Sequence, residues 1–322
     1  MNIYEKLTRF VKQVFKTTLE IFLEALKLSP NAQGYVSGSI TELLLKKKLE
    51  EEYGFEAKRI REKWEGKKHP HHHGDYYFRK HDSPYWYVIE SKGVKSNSEK
   101  WHRLYNFASL KNFLITHADK IAWVNRSGNV EQQIIEWISN NLPKFQNVYS
   151  SNLCEYEEVQ KYKHKRETEK ARAIATLRGY NRDQINDMIE ERLNYLMSRL
   201  KVLETHFVSG TSGVGERTQA TPRKDEFNVI AIDIVLRYPE HKFLFANPQN
   251  LESSGDDPNH LQQNYVMGFI FTDEKGNPTL KITDEWYEDL NDVYDTLDPE
   301  DSVNEDDMQI DNRYIVLNKN EE

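Results

Sequence analysis

The chain has 322 residues, of which 38% are hydrophobic, 12% aromatic and 30% charged. That is enough apolar material for one large domain or two ordinary ones, and it excludes global disorder. A net charge of −8 excludes a uniformly basic nucleic-acid binder, so a nucleic-acid partner would need basic charge gathered on one face. A single cysteine, Cys154, excludes an internal disulfide framework and a cysteine-based zinc site, and leads to the expectation of a reducing, cytoplasmic setting.

Residues 3–28 read as one helix, ended by Ser29-Pro30-Asn31. Its apolar stretch from residue 10 to 29 is interrupted by Lys12, Gln13, Lys16, Glu20, Glu24 and Lys27. The expectation is therefore an amphipathic helix packed on the protein body, with neither a membrane span nor a signal peptide. A second helix is expected to begin after Gly34 and run to about Glu52, stopped by Tyr53-Gly54. Phe55 to Trp64 reads as a strand and residues 67–73 as a loop. Asp75–Arg79 and Tyr85–Lys92 read as two further strands joined by a turn at His81-Asp82-Ser83-Pro84. Ser98 to about His117 carries apolar side chains at helical spacing. Lys120–Val124 reads as a buried strand, and Val130–Asn141 as an amphipathic helix closed by Leu142-Pro143. Glu155 to Phe207 is charged and reads as helical, including a helix over Arg182–Thr205. After a Gly- and Ser-rich connector at 209–215 come β-like runs at Phe227–Leu236, Lys242–Phe245, Tyr265–Thr272 and Thr279–Ile282, with a turn at Gly276-Asn277. Residues 284–307 are strongly acidic.

This order predicts an α/β fold, a mixed central β-sheet flanked by helices, with a C-terminal α+β region. The expected divisions are an N-terminal helix at 1–33, a core at 34–150, a charged helical segment at 151–208 and a β-rich region with an acidic end at 209–322. Within the core, Gly34 to Val124 is expected to form a compact unit by itself.

The chemistry centres on Asp75, Glu90 and Lys92. In a strand, residues i and i+2 share a face, so Glu90 and Lys92 project together while Ser91 points away. If the two strands pair as a hairpin, Asp75 lies beside Glu90. Two carboxylates side by side repel unless a cation intervenes, and Mg²⁺ there could orient a water for attack on a phosphodiester. Lys92 would position that water and offset developing charge. The ordinary alternative is an exposed hairpin with a cross-strand Glu–Lys pair.

The segment resembles the PD-(D/E)xK nuclease superfamily, the fold of type II restriction endonucleases and of many repair and junction nucleases. The element order is similar from about residue 35 to 125. Asp75 matches the first acid of that motif and Glu90-Ser91-Lys92 its second half, while Gly74 stands where the name-giving proline would be. The resemblance implies a restriction-endonuclease-like core and Mg²⁺-dependent DNA cleavage, with Mn²⁺ able to substitute. Asp75, Glu90 and Ser91 would then form the metal site, and Glu42 would be the helix-borne glutamate that supports it. Glu42 has an equally ordinary reading as a solvated helix residue with Lys46 one turn on.

Basic residues after the motif, Lys95, Lys100 and Arg103, suit phosphate contacts. Arg217, Arg223 and Lys224 lie in a stretch of residue types that read base edges, or in a plain connector. His69, His71, His72 and His73 do not have the spacing of a zinc site and read as a loop near DNA or on the surface. The expected function is a restriction enzyme cutting double-stranded DNA at a specific site, acting as a homodimer because two cuts need two sites. The competing readings are a structure-directed repair or junction nuclease, a non-catalytic DNA-binding module on the same fold, and an interaction protein driven by the acidic C-terminus. That terminus could pack on the body, bind a partner or fold over the cleft.

Overall fold

A computed structural model describes residues 2–61, 73–94, 107–121, 123–142, 198–205, 207, 221–255 and 257–312. The chain is mixed α/β. It divides into two compact units, one made of residues 1–93, 226–233 and 298–322 and the other of residues 94–225 and 234–297.

The first unit begins with three helices where the sequence predicts two. Helix α1 (Ile3–Phe15) opens on a capping box between Asn2 and Glu5 and ends at Lys16, whose backbone is left-handed (φ 57°). Thr18 then accepts from the Ile21 amide and starts α2 (Leu19–Leu28). The expected single helix over 3–28 thus breaks in the middle, because a threonine cap offers the backbone a new start. Helix α3 (Pro30–Lys47) starts at Pro30 instead of after Gly34. Ser29 caps the Ala32 amide, and a proline in the first helical position loses no hydrogen bond. A five-residue π-helical turn, Lys48–Glu52, follows, with Leu49 buried.

Four strands of a mixed sheet lie in this unit in the order β1, β2, β3, β5. Strand β1 (Phe55–Arg59) pairs antiparallel with β2 (Tyr76–Lys80), which pairs antiparallel with β3 (Tyr87–Gly93). Strand β3 pairs in parallel with β5 (Val229–Asp233), Glu90 level with Ile230 and Lys92 with Ile232. The hairpin is as the sequence predicts. The parallel neighbour is not. The expected strand at 120–124 is instead a 3₁₀ turn (Ala118–Lys120) followed by irregular backbone among its described residues. The fully buried run Val-Ile-Ala-Ile-Asp, far along the chain, takes the place beside β3, so the core does not close within residues 34–124.

The acidic C-terminal stretch supplies the outer cover of this unit. The Val303 amide donates to the Trp86 carbonyl and the Asp311 amide to the Arg59 carbonyl. Trp86 is buried, with the Lys58 ammonium 4.2 Å and the Arg79 guanidinium 4.3 Å from its ring centroid. Glu305 pairs with Lys58 at 2.9 Å. The backbone edge of β1, an aggregation liability when bare, is covered at Ile60 by a bridge to Ile310.

The second unit holds helices α4 (Phe107–Thr116) and α5 (Val130–Asn141) and an antiparallel sheet in the order β4, β7, β8. These strands are β4 (Leu200–Glu204), β7 (Val266–Thr272) and β8 (Pro278–Ile282). Its core joins Leu110, Leu114, Ile134, Ile138, Val202 and Phe269. Strand β6 (Phe243–Ala246) and the short helix α6 (Leu290–Tyr294) complete it. Helix α5 coincides with the expectation from spacing. Leu200–Glu204, expected inside a helix, is a strand because four of its five side chains are buried against β7 and the core. Packing overrides propensity there. Among the described residues, no helix is long and apolar enough to cross a membrane.

Candidate active site

The site forms at the end of the β2–β3 hairpin. Tyr76 lies level with Ile89 at the end of the paired register, so Asp75, just before it, and Glu90, just after Ile89, come together at the same end of the hairpin. The Asp75 amide donates to the Ile89 carbonyl at 2.9 Å, and an Asp75 carboxylate oxygen accepts from the Ser91 amide at 2.7 Å. This pair of bonds pins Asp75 to β3 from both ends. Gly74 makes the approach possible. A Cβ built there would lie 2.4 Å from Val88 Cγ1 and 2.6 Å from the Ile89 carbonyl oxygen, so neither proline nor alanine fits without movement.

Glu90 is buried and Lys92 donates to its carboxylate, which confirms that the two share one face. The Glu90 carboxyl is raised above the ordinary range, first because burial disfavours its charge, with Glu42 and Glu226 adding to the rise and Lys92 opposing it. Asp75 is pushed from 3.8 to about 7, mainly by burial and then by the charge of Glu90, against the pull of Lys92, the Ser91 amide and Arg59. Burial alone would lower the Lys92 ammonium. The attraction of Glu90, with Asp75 and Glu42 behind it, outweighs that and raises it. Its ammonium sits against Glu90 although 43% of the side chain meets solvent.

Glu42 is held by Arg59 at 2.8 Å, on the partly buried side of α3. Its charge reaches Glu90 and Lys92, so it is not a plain solvated residue. Helix α3 is also tied to β5, where the Thr41 hydroxyl donates to the buried Asp233 carboxylate at 2.9 Å. Ser91 contributes its amide to Asp75, and its hydroxyl is buried without a hydrogen-bond partner among the described residues.

Two contributors were not foreseen. The Glu226 backbone carbonyl accepts from the His73 amide at 3.1 Å, and the charge of its side chain adds to the rise of Glu90. Asn228 links three segments. Its side-chain oxygen accepts from the Val88 amide at 2.7 Å, its own amide donates to the Val88 carbonyl, and its Nδ2 donates to the Asp301 carbonyl. Nothing local marks either residue in the sequence beyond their position at the start of an apolar run.

Of the expected DNA contacts, Lys95, Lys100, Arg103 and Arg217 lie outside the described residues, as do His69, His71 and His72. Arg223 is committed to Asp225 through two bonds of 2.8 and 2.9 Å, and Lys224 donates to the Leu251 carbonyl. Both are engaged within their own unit.

Whether the donor set suits a divalent cation can be judged from its chemistry. Asp75 and Glu90 are both disfavoured as anions by burial, and Asp75 by its neighbour as well. A cation between them removes these penalties, so the residues fit Mg²⁺, which commonly takes one or two carboxylates and fills its other positions with water and phosphate. Among the described residues, no group of three or more His, Cys, Asp or Glu side chains forms a ready cage. In comparisons with known proteins, no family model, no curated protein and no solved structure matches the chain.

Proposed function

We propose that this chain is a Mg²⁺-dependent endodeoxyribonuclease on a restriction-endonuclease-like core, cutting double-stranded DNA at a specific site in the cytoplasm. One observation carries the reading. Two carboxylates, each raised by burial and close enough for Glu90 to raise Asp75, gather at one hairpin end with a lysine bonded to Glu90. A mere cross-strand ion pair would need only one of those acids. Asp75 and Glu90 would hold the metal, which when bound supplies Lewis-acid stabilisation of phosphoryl charge. Lys92, half exposed, is free to swing from Glu90 toward the attacking water and the phosphate. Arg59 on β1 and Glu42 on α3 brace the site. Two strands need two cuts, and a homodimer supplies two such sites.

The test is digestion of a large defined DNA with Mg²⁺ or Mn²⁺, with the product ends sequenced. Discrete fragments, lost in Lys92→Ala while Mg²⁺ still binds, are the expected result. A smear would move the reading to a structure-directed or nonspecific nuclease. Intact DNA with both metals would overturn it.

A further inference from the structure

Strand β8 carries a lysine on the inner face of its sheet. Phe269 lies level with Lys281, and Phe271 with Thr279. Cross-strand partners share a face, and so do residues i and i+2. Lys281 therefore stands on the face whose Phe269 belongs to the core with Leu110 and Ile134. It is partly buried, yet its side chain has no ion pair and no hydrogen bond among the described residues. Arg199, just before β4, is partly buried and unpaired in the same sense. A charge that loses water without gaining a partner is costly, so both cations call for an anion.

Both border one cavity of about 180 Å³. Its apolar wall is Trp123, Trp137 and Phe271, each partly exposed. The two indoles stack with ring centroids 4.8 Å apart and planes 6° from parallel. No ring can enter between them, so their flat surface is offered on the outside. Phe271 stands against Trp137 at 4.8 Å and 71°, which makes a corner. Asp273 is the single acid among the described lining residues. Its carboxylate accepts from the amides of Lys275 and Asn277 and from Asn277 Nδ2, within its own turn.

These features select an occupant. A flat aromatic wall takes a flat ring. A cavity of about 150 Å³ holds one benzene, so this one has room for a single-ring base. The cations require an anion beside that ring, and the guanidinium fork matches phosphate. A flat ring with a phosphate a short distance away is a nucleotide. We infer that the cavity is a nucleotide-binding site, with the base on the Trp123–Trp137–Phe271 wall and the phosphate held by Arg199 and Lys281. A free nucleotide and an unstacked nucleotide of a single strand share this chemistry. The site lies wholly within the second unit and does not depend on the cleavage proposed above.

The experiment is calorimetric titration of the full chain, in chelator and at low salt, with thymidine monophosphate and separately with a short oligothymidylate. Chelator removes Mg²⁺, so failure here leaves the nuclease reading standing, and failed cleavage leaves this one. The expected result is saturable binding, weakened about 5- to 150-fold in Trp137→Ala. Arg199→Gln combined with Lys281→Gln should also weaken it and flatten its salt dependence. Those changes leave the aromatic packing intact and carry the test should Trp137→Ala not fold. Binding of both probes assigns a free nucleotide, and binding of the oligonucleotide alone assigns a strand. No binding of either up to about 1 mM, or equal affinity in wild type and the Arg199→Gln/Lys281→Gln variant, would overturn the inference. So would thymidine or inorganic phosphate binding as tightly as the monophosphate, the first by removing the need for the anion and the second the need for the ring.

Discussion

Replacing Asp75 by asparagine isolates the electrostatic cost of the candidate site. Asparagine keeps an oxygen for the Ser91 amide, now at 2.7 Å from the carboxylate, and removes the charge. In the folded protein Asp75 is raised from 3.8 to about 7, by burial first and Glu90 second. Between those values the folded state binds a proton that the unfolded chain releases. The stability this contributes is therefore complete below 3.8 and is lost as the pH climbs to about 7. At about 1.36 kcal/mol per unit the whole window amounts to roughly 4 kcal/mol, of which about 3 kcal/mol falls between about pH 5 and about pH 8. Urea unfolding of wild type and Asp75→Asn across that range should show the wild type losing about 3 kcal/mol relative to the variant. Mg²⁺ at the alkaline end should restore part of the loss in the wild type only, because the ion neutralises what the proton did. Parallel pH dependences for the two proteins would refute the reasoning.

Two further perturbations address the frame around the site. Gly74→Ala places a methyl group against Val88 and the Ile89 carbonyl and should cost about 1–3 kcal/mol by thermal unfolding, with Mg²⁺ affinity falling as Asp75 is pushed from Ser91. Trp86→Ala removes a fully buried ring flanked by Lys58 and Arg79 and should cost about 3–5 kcal/mol. Amide exchange should then rise over residues 298–311, whose backbone bonds to Trp86 and Arg59 hold them on the sheet.

The acidic stretch illustrates how a sequence feature acquires its meaning. Its charge suggests a decoy for DNA or a partner-binding tail. In the fold, Glu305 serves Lys58, Asp311 is buried beside Arg59 at 4.0 Å, and the backbone between them covers the edge of β1.

The hairpin and its chemistry were legible because their signals are local. A two-residue period puts Glu90 and Lys92 on one face, and a short turn sets the register that brings Asp75 against the Ile89–Ser91 end of β3. Helix α5 and the strands from 229 onward follow from periodicity and bounded apolar runs in the same way. Which strand lies beside β3 was not legible. Parallel pairing joins segments through a long crossover, and Lys120–Val124 and Val229–Asp233 are both short apolar runs that local pattern cannot rank. That choice brings Glu226, Asn228 and Asp233 to the site, and with them the burial that raises its carboxylates. Local pattern placed the charges on the hairpin, and only tertiary packing decided how far from water they would sit.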